Sequence, residues 1–246
     1  MFKSKYKLCE LFGIPIYVDF SFIVLLLLFV NSEHSFSLGL ALALVLAISV
    51  TLHELGHALT AGLFGYRTQD ITLSLLGGCA SLIALPRKAW QEFLTALAGP
   101  LVSFMIAGCV LLLDVFDVRI ENRWLWQVLS YACWMNIMLG GFNLLPGFPM
   151  DGGRIFRSVM RLFTTRAKAT FIAMWVGRVF ALLLGLRGLW AVFNNGAWGF
   201  VSILIAWMIW KEGYREYQLA RMEEDFRNWT QDDFNARVSP PPYERD

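Results

Sequence analysis

Charge is scarce in this chain. Asp, Glu, Lys and Arg make up 16% of its 246 residues against 57% apolar residues, and the mean hydropathy is positive. A soluble domain carries about a quarter charged residues, so that class is disfavoured from the outset. The basic residues sit at the ends of apolar runs, not in one patch, which excludes a nucleic-acid-binding surface. Cysteine is rare as well. Cys9, Cys79, Cys109 and Cys133 are scattered with no CxxC pair, which indicates neither a disulfide framework nor a thiolate zinc site, and they are expected to be small buried apolar residues. Histidine occurs three times. There is no internal repeat. Lys3, Lys5 and Lys7 precede an apolar run in the manner of a signal peptide, but the run is long and no small-residue cleavage site follows, so a retained first helix is expected.

Long apolar runs are abundant. A bilayer takes about 20 helical residues to cross, and six spans can be placed, at residues 14–30, 38–64, 93–113, 124–145, 170–193 and 198–210. The sequence thus predicts an all-α polytopic membrane protein with about six transmembrane helices. A soluble helical core is disfavoured because residues 22–30, 40–50 and 182–192 leave too little polar face. Loop charge orients the spans. Lys3, Lys5, Lys7, Arg67, Arg87, Lys88, Arg154, Arg157, Arg161, Arg166, Lys168, Lys211 and Arg215 all fall on one side, against only Arg119 and Arg123 on the other. The positive-inside rule then places both termini in the cytoplasm, in a multi-pass protein of the cell (inner) membrane. Trp124, Trp126, Trp190, Trp198 and Trp210 near span ends fit an aromatic belt.

Between the second and third spans, residues 71–85 are apolar but short and broken by Gly77 and Gly78, which predicts a re-entrant or interfacial β-hairpin. Residues 1–213 are taken as one membrane domain, and 214–246 as a charged cytoplasmic tail, helical at first and then disordered. Its PPPY end formally matches a WW-domain ligand, although a flexible terminus explains it as well.

The chemistry centres on HELGH at residues 53–57. His53 and His57 are four apart, so in a helix both imidazoles share a face and can chelate one ion. Glu54 follows the first His, where it can act as general base toward a water at the metal. Two of the three histidines form this pair, and they lie in an apolar span where ionisable groups are expensive unless functional. Gly56 and Gly62 are expected to bring neighbouring helices close. A satisfied polar pair in a helix bundle is the bland alternative.

A zinc site of this type needs a third protein ligand. Asp19 lies near the start of the first span. Glu92 lies downstream, but beside Lys88 and Trp90, where it more naturally begins the third span. Asp151 is the best candidate, within NLLPGFPMDGGR at residues 143–154. Pro146 and Pro149 prevent regular helix there, and Gly152 and Gly153 permit unusual dihedrals. Such a break is tolerated at membrane depth only beside a cavity or within protein. An ordinary helix-ending loop with a capping Asp is the alternative.

HELGH, the Gly77–Gly78 hairpin, Ala98-Gly99-Pro100, NLLPGFPMDGGR and the early Gly13-Ile14-Pro15-Ile16 together resemble the site-2 protease family of intramembrane metalloproteases, over roughly residues 12–190. The resemblance implies that one Zn2+ is held by His53, His57 and Asp151, that Glu54 is the base, and that Asn143 points into the site. It implies hydrolysis of peptide bonds within or near transmembrane segments of membrane-protein substrates, in regulated intramembrane proteolysis. Ser103 departs from the Asn that many relatives carry after Gly-Pro, and no role is expected for it. No stretch has the length of a PDZ or CBS module, which leaves the regulatory partner open. An unwound substrate would find a pairing edge at Gly77 and Gly78, unless those glycines only make the turn. Two rivals stand: a membrane metal-binding or transport protein, which has no special need of Glu54, and an inactive binder, which would not retain it.

Overall fold

The computed structural model describes residues 5–32, 35–74, 77–82, 86, 88–118, 120–194 and 198–238. The chain divides into two compact units, Met1–Leu145 and Pro146–Asp246.

The first unit opens with strand β1 (Lys5–Leu11) and strand β2 (Ile14–Asp19), joined by a two-residue turn in which Phe12 and Gly13 have φ of 52° and 77°, as a tight hairpin turn requires. Helix α1 (Phe20–Ser32) follows, then α2 (Phe36–Leu63), strand β3 (Thr68–Ser74), strand β4 (Gly77–Leu82), α3 (Ala89–Val115) and α4 (Arg123–Asn143). The four strands form one sheet in the order β1-β2-β3-β4. Both hairpins are antiparallel, and β2 pairs in parallel with β3 through Ile16 and Ile71.

Two expectations are corrected here. The fold is mostly helical but not all-α, and the first predicted span, residues 14–30, begins as a strand. Ile14, Ile16 and Val18 are buried in alternation with half-exposed neighbours. That is the period of a strand with one face on a core, and it interrupts the apolar run before a helix can start. Asp19 then caps the helix: its Oδ1 accepts from Ser21 N at 2.8 Å. Helix α1 has 13 residues, by itself shorter than a bilayer core of about 30 Å, and β2 and α1 together cover the predicted span. The hairpin expected within residues 71–85 is present as β3 and β4, while Leu75, Leu76 and residues 83–85 lie outside the described residues.

The core of the first unit joins β2 and β3 to α1 and α2: Ile14, Ile16, Val18, Phe22, Leu46, Val50, Leu55, Ala58, Ile71 and Leu73. Helix α2 is arranged inside out by the standard of a soluble protein. Leu40, Leu44, Ile48, Leu52, Leu59 and Leu63 are exposed, whereas Ser49, His53 and Glu54 are buried. An exposed apolar stripe over a polar interior suits lipid and not water. Among the described residues, α2, α3 and Arg166–Phe193 are the helices long and apolar enough to cross a membrane. Gly56 does bring helices together, since a Cβ there would lie 2.9 Å from Val102 Cγ2 and 3.0 Å from the Ala98 carbonyl oxygen on α3. Gly62 does not among the described residues, where a Cβ would meet nothing within 4 Å.

The second unit comprises α5 (Asp151–Met160), α6 (Arg166–Phe193) and α7 (Trp198–Val238). The turn before α5 contains a cis Phe148–Pro149 peptide. The glycines here serve close approach, not unusual dihedrals. A Cβ on Gly147 would lie 2.7 Å from Gly177 Cα, and one on Gly153, inside α5, would lie 2.6 Å from the Gly147 carbonyl carbon. Helices α6 and α7 form an antiparallel pair that packs tightly where Gly188 meets Gly199. The largest fully buried side chain is Arg157, which donates to Glu216 Oε2 at 3.0 Å and lies over the Phe148 ring. Burial pushes the Glu216 carboxyl up, but Arg157 and Arg154 outweigh it and hold the group below its ordinary range. Of the cysteines, Cys133 is buried as expected, but Cys9 and Cys109 are exposed. Cys9 lies on the fully exposed strand β1, and an exposed thiol on an apolar helix such as α3 carries little penalty in lipid.

Candidate metal and catalytic site

His53, Glu54 and His57 occupy adjacent turns of α2, in the first unit. His53 and Glu54 are 2% and 7% exposed, and His57 is half-buried. The two imidazoles meet edge to face with centroids 4.9 Å apart. The Thr95 carbonyl oxygen of α3 lies 2.7 Å from His57 Nδ1. A carbonyl only accepts, so this contact assigns the proton to Nδ1 and the lone pair to Nε2. His53 Nδ1 lies 2.9 Å from Ser103 Oγ, which fixes the second ring in the same sense when the hydroxyl accepts.

Both Nε2 atoms converge over Gly99. A Cβ at that position would overlap His57 Nε2 and stand 2.7 Å from His53 Nε2. The glycine therefore keeps open a cradle in front of two imidazole nitrogens whose opposite nitrogens are held by α3. This donor set suits a divalent ion of the zinc class, with hydrogen-bonded Nδ1 groups orienting the ligands.

Glu54 is held from the other side by the sheet. Ala80 N on β4 donates to Glu54 Oε2 at 3.1 Å, and a Cβ on Gly78 would overlap Glu54 Cγ and lie 2.7 Å from Oε1. Gly78 is paired with Leu73 within the ladder and Gly77 with Ser74. Gly78 thus makes room for the carboxylate, a purpose distinct from turn formation. The hairpin positions the Glu54 carboxyl.

Asn143 is the last residue of α4 and is half-buried; its Nδ2 donates to Leu139 O one turn back, at 2.9 Å, which engages one of its two amide hydrogens. Asp151 is buried in the first turn of α5 in the second unit, where the helix N-terminus favours a carboxylate. Glu92 is buried in the first turn of α3, as expected of a residue that begins that span.

Four contributors were not foreseen: Thr95, Gly99, Ser103 and Ala80. Ser103 is a correction, for it is fully buried and touches a candidate ligand. Thr95, Gly99 and Ser103 recur at intervals of four, which puts small side chains on one face of α3. That spacing is the signal that marks them. Ala80 acts through its backbone and leaves no side-chain signature.

Residues 41–119 and 115–185 match Peptidase family M50. The chain belongs to this family. Its fold is similar to the Site-2 Protease from Methanocaldococcus jannaschii, with a TM-score of 0.63 and 33% identity, covering 87% of this chain and 95% of that one. It is 35% identical over 226 residues to Zinc metalloprotease MJ0392 of the same organism, covering 90% of this chain and 63% of the relative. It is 33% identical over 255 residues to Putative zinc metalloprotease sll0528 of Synechocystis, covering 96% and 66%. To Stage IV sporulation protein FB of Bacillus subtilis it is 28% identical over 137 residues, covering 55% and 46%. The chain therefore spans less than two thirds, or just about that share, of the curated relatives it matches.

The geometry around α3 makes a prediction. Gly99→Ala is expected to abolish stoichiometric Zn2+ binding, and Ser103→Ala to weaken it about 10–100-fold, as loss of a ligand-orienting partner commonly does. Competition with a chromogenic chelator measures both; unchanged affinity in Gly99→Ala would remove α3 from the site.

Proposed function

We propose that this protein is an intramembrane zinc metalloprotease that hydrolyses peptide bonds within or near transmembrane segments of other membrane proteins. The observation that carries this reading is the clamped Glu54. A carboxylate directly after the first imidazole, fixed by Ala80 N and seated on Gly78, is what a general base needs. A metal carrier has no use for one.

In this reading His53, His57 and Asp151 hold one Zn2+. Support for Asp151 comes from its burial and from its place after a segment that cannot continue a helix. Zinc at such a site supplies Lewis acidity, which makes water a nucleophile near neutral pH. The protein's own residues do the rest. Glu54 takes a proton from the water as its oxygen adds to the scissile carbonyl carbon. It then passes that proton to the amide nitrogen as the C–N bond breaks. Asn143 Nδ2, with one hydrogen beyond its bond to Leu139 O, donates to the developing oxyanion.

A helical substrate hides its peptide bonds, so it unwinds before cleavage. Strand β4 ends the sheet among the described residues, and its outer edge along Gly77 and Gly78 offers the unwound stretch the hydrogen bonds it lost. The hairpin then lies at membrane depth, re-entrant between the second and third of six passes, with both termini in the cytoplasm and the protein in the inner membrane.

Three outcomes test this. Glu54→Gln should keep zinc and lower turnover about 100-fold or more; near wild-type cleavage of a reconstituted membrane substrate would refute the base. Asp151→Ala should lose zinc as completely as His57→Ala, while Asp19→Ala and Glu92→Ala keep it; metal analysis of the purified variants decides, and full zinc in Asp151→Ala would assign the third ligand elsewhere. Reporter fusions after Lys7 and Arg227 should both read cytoplasmic and one after Asp117 should not, an external C-terminus being incompatible with six passes.

A further inference from the structure

Helix α6 carries Arg178 in an apolar run, and its surroundings are aromatic, not acidic. The guanidinium carbon lies 4.7 Å from the Trp210 ring centroid, 5.0 Å from Trp175 and 5.8 Å from Tyr214. Arg178 Nε is buried without a hydrogen-bond partner. Among the described residues no carboxylate pairs with this arginine. One helical face of α7 carries Trp207, Trp210, Lys211 and Tyr214 in succession, and Lys211 Nζ lies 5.1 Å from the Trp207 ring centroid. The four rings are about half-exposed.

The level of this cluster along the hairpin is informative. From Trp198 to Trp210 helix α7 has no charged residue; from Lys211 onward it is rich in both signs. On α6, the residues before Arg178 run beside the charged part, with Met174 against Gly213 and Ala167 N donating to Glu224. Those after it run beside the apolar part, with Gly188 against Gly199. Arg178 therefore sits where the hairpin passes from water to hydrocarbon, which is headgroup level, and Trp and Tyr collect there for the same reason.

We infer that Arg178 and Lys211 form a binding site for the phosphodiester of an anionic phospholipid. Ring faces beside the guanidinium neutralise no charge, so its N–H donors remain for an acceptor. A phosphate oxygen pair matches that fork. Lys211 adds the second positive charge, and the half-exposed rings of Trp175, Trp207, Trp210 and Tyr214 suit the glycerol and upper acyl carbons that a free phosphate lacks. The inference rests on membrane insertion and not on peptide cleavage, so it is tested equally well in the Glu54→Gln background.

The full chain is reconstituted in nanodiscs of equal phosphatidylglycerol and phosphatidylcholine, extracted into mild detergent, and its retained lipid counted by native mass spectrometry. Phosphatidylglycerol should be enriched over phosphatidylcholine. Arg178→Gln and Lys211→Gln should each reduce that enrichment about fivefold, whereas Arg187→Gln, on the same helix without a described aromatic cage, should leave it unchanged. Lys211 is on the surface, so Lys211→Gln carries the test if Arg178→Gln does not fold. Unchanged enrichment in Lys211→Gln, or no preference in the wild type, overturns the proposal. Complete displacement of phosphatidylglycerol by millimolar inorganic phosphate also overturns it, in favour of a free-anion site.

Discussion

Two imidazoles and a carboxylate lie in a helix whose outer face is leucine, and the rest of the first unit answers to that constraint. An ionised side chain at mid-helix depth in a bilayer costs about 3 kcal/mol, and an unpaired buried polar group costs about 1–3 kcal/mol. Helix α2 has no means of its own to offset this. Three of the polar atoms it turns inward meet partners from elsewhere: His57 Nδ1 meets Thr95 O and His53 Nδ1 meets Ser103 Oγ, both from α3, and Glu54 Oε2 meets Ala80 N from β4. Ser49, one turn before His53, accepts from Asn136 Nδ2 of α4 at 2.8 Å. The Ala80 amide gives the buried Glu54 carboxyl a hydrogen bond that α2 cannot supply.

The same contacts orient the chemistry. The Thr95 carbonyl selects the tautomer of His57 by its inability to donate, and the missing Cβ of Gly99 leaves the two Nε2 atoms a common opening. The missing Cβ of Gly78 performs the corresponding service for Glu54. Both glycines act as cavities of one methyl group, in an interior where packing leaves few others. Satisfying the buried polar groups and preorganising the site are thus a single arrangement.

The sheet is the element that gives this arrangement its direction. A helix alone presents His53 and Glu54 on adjoining faces, with nothing to fix the carboxylate. Strand β4 reaches Glu54 because β3 is tied in parallel to β2, and β2 is packed on α1 and α2 through Ile14, Ile16 and Val18. The N-terminal hairpin therefore supports the sheet that reaches Glu54. The second unit follows the same economy: Arg157 is neutralised by Glu216, and small residues allow Gly147, Gly153 and Gly177 into backbone contact.

The sequence by itself determined the parts that depend on local period and residue type. The spacing of His53 and His57 places both on one helical face, the apolar runs of α2, α3 and α6 mark helices of membrane length, and Gly77-Gly78 with its flanks marks a hairpin. The strand at Ile14–Asp19 carries the same kind of signature, an alternation of Ile14, Ile16 and Val18, but it runs directly into the apolar residues of α1 and so reads as the start of a longer span. Tertiary structure alone decided which backbone groups meet the site. Ala80 N and Thr95 O are common to every residue type, so no side-chain pattern announces them. Ser103 and Gly99 acquire their meaning only when α3 packs on α2 at Gly56. Residue type and period are properties of one segment; a hydrogen bond between segments is a property of where two of them end up.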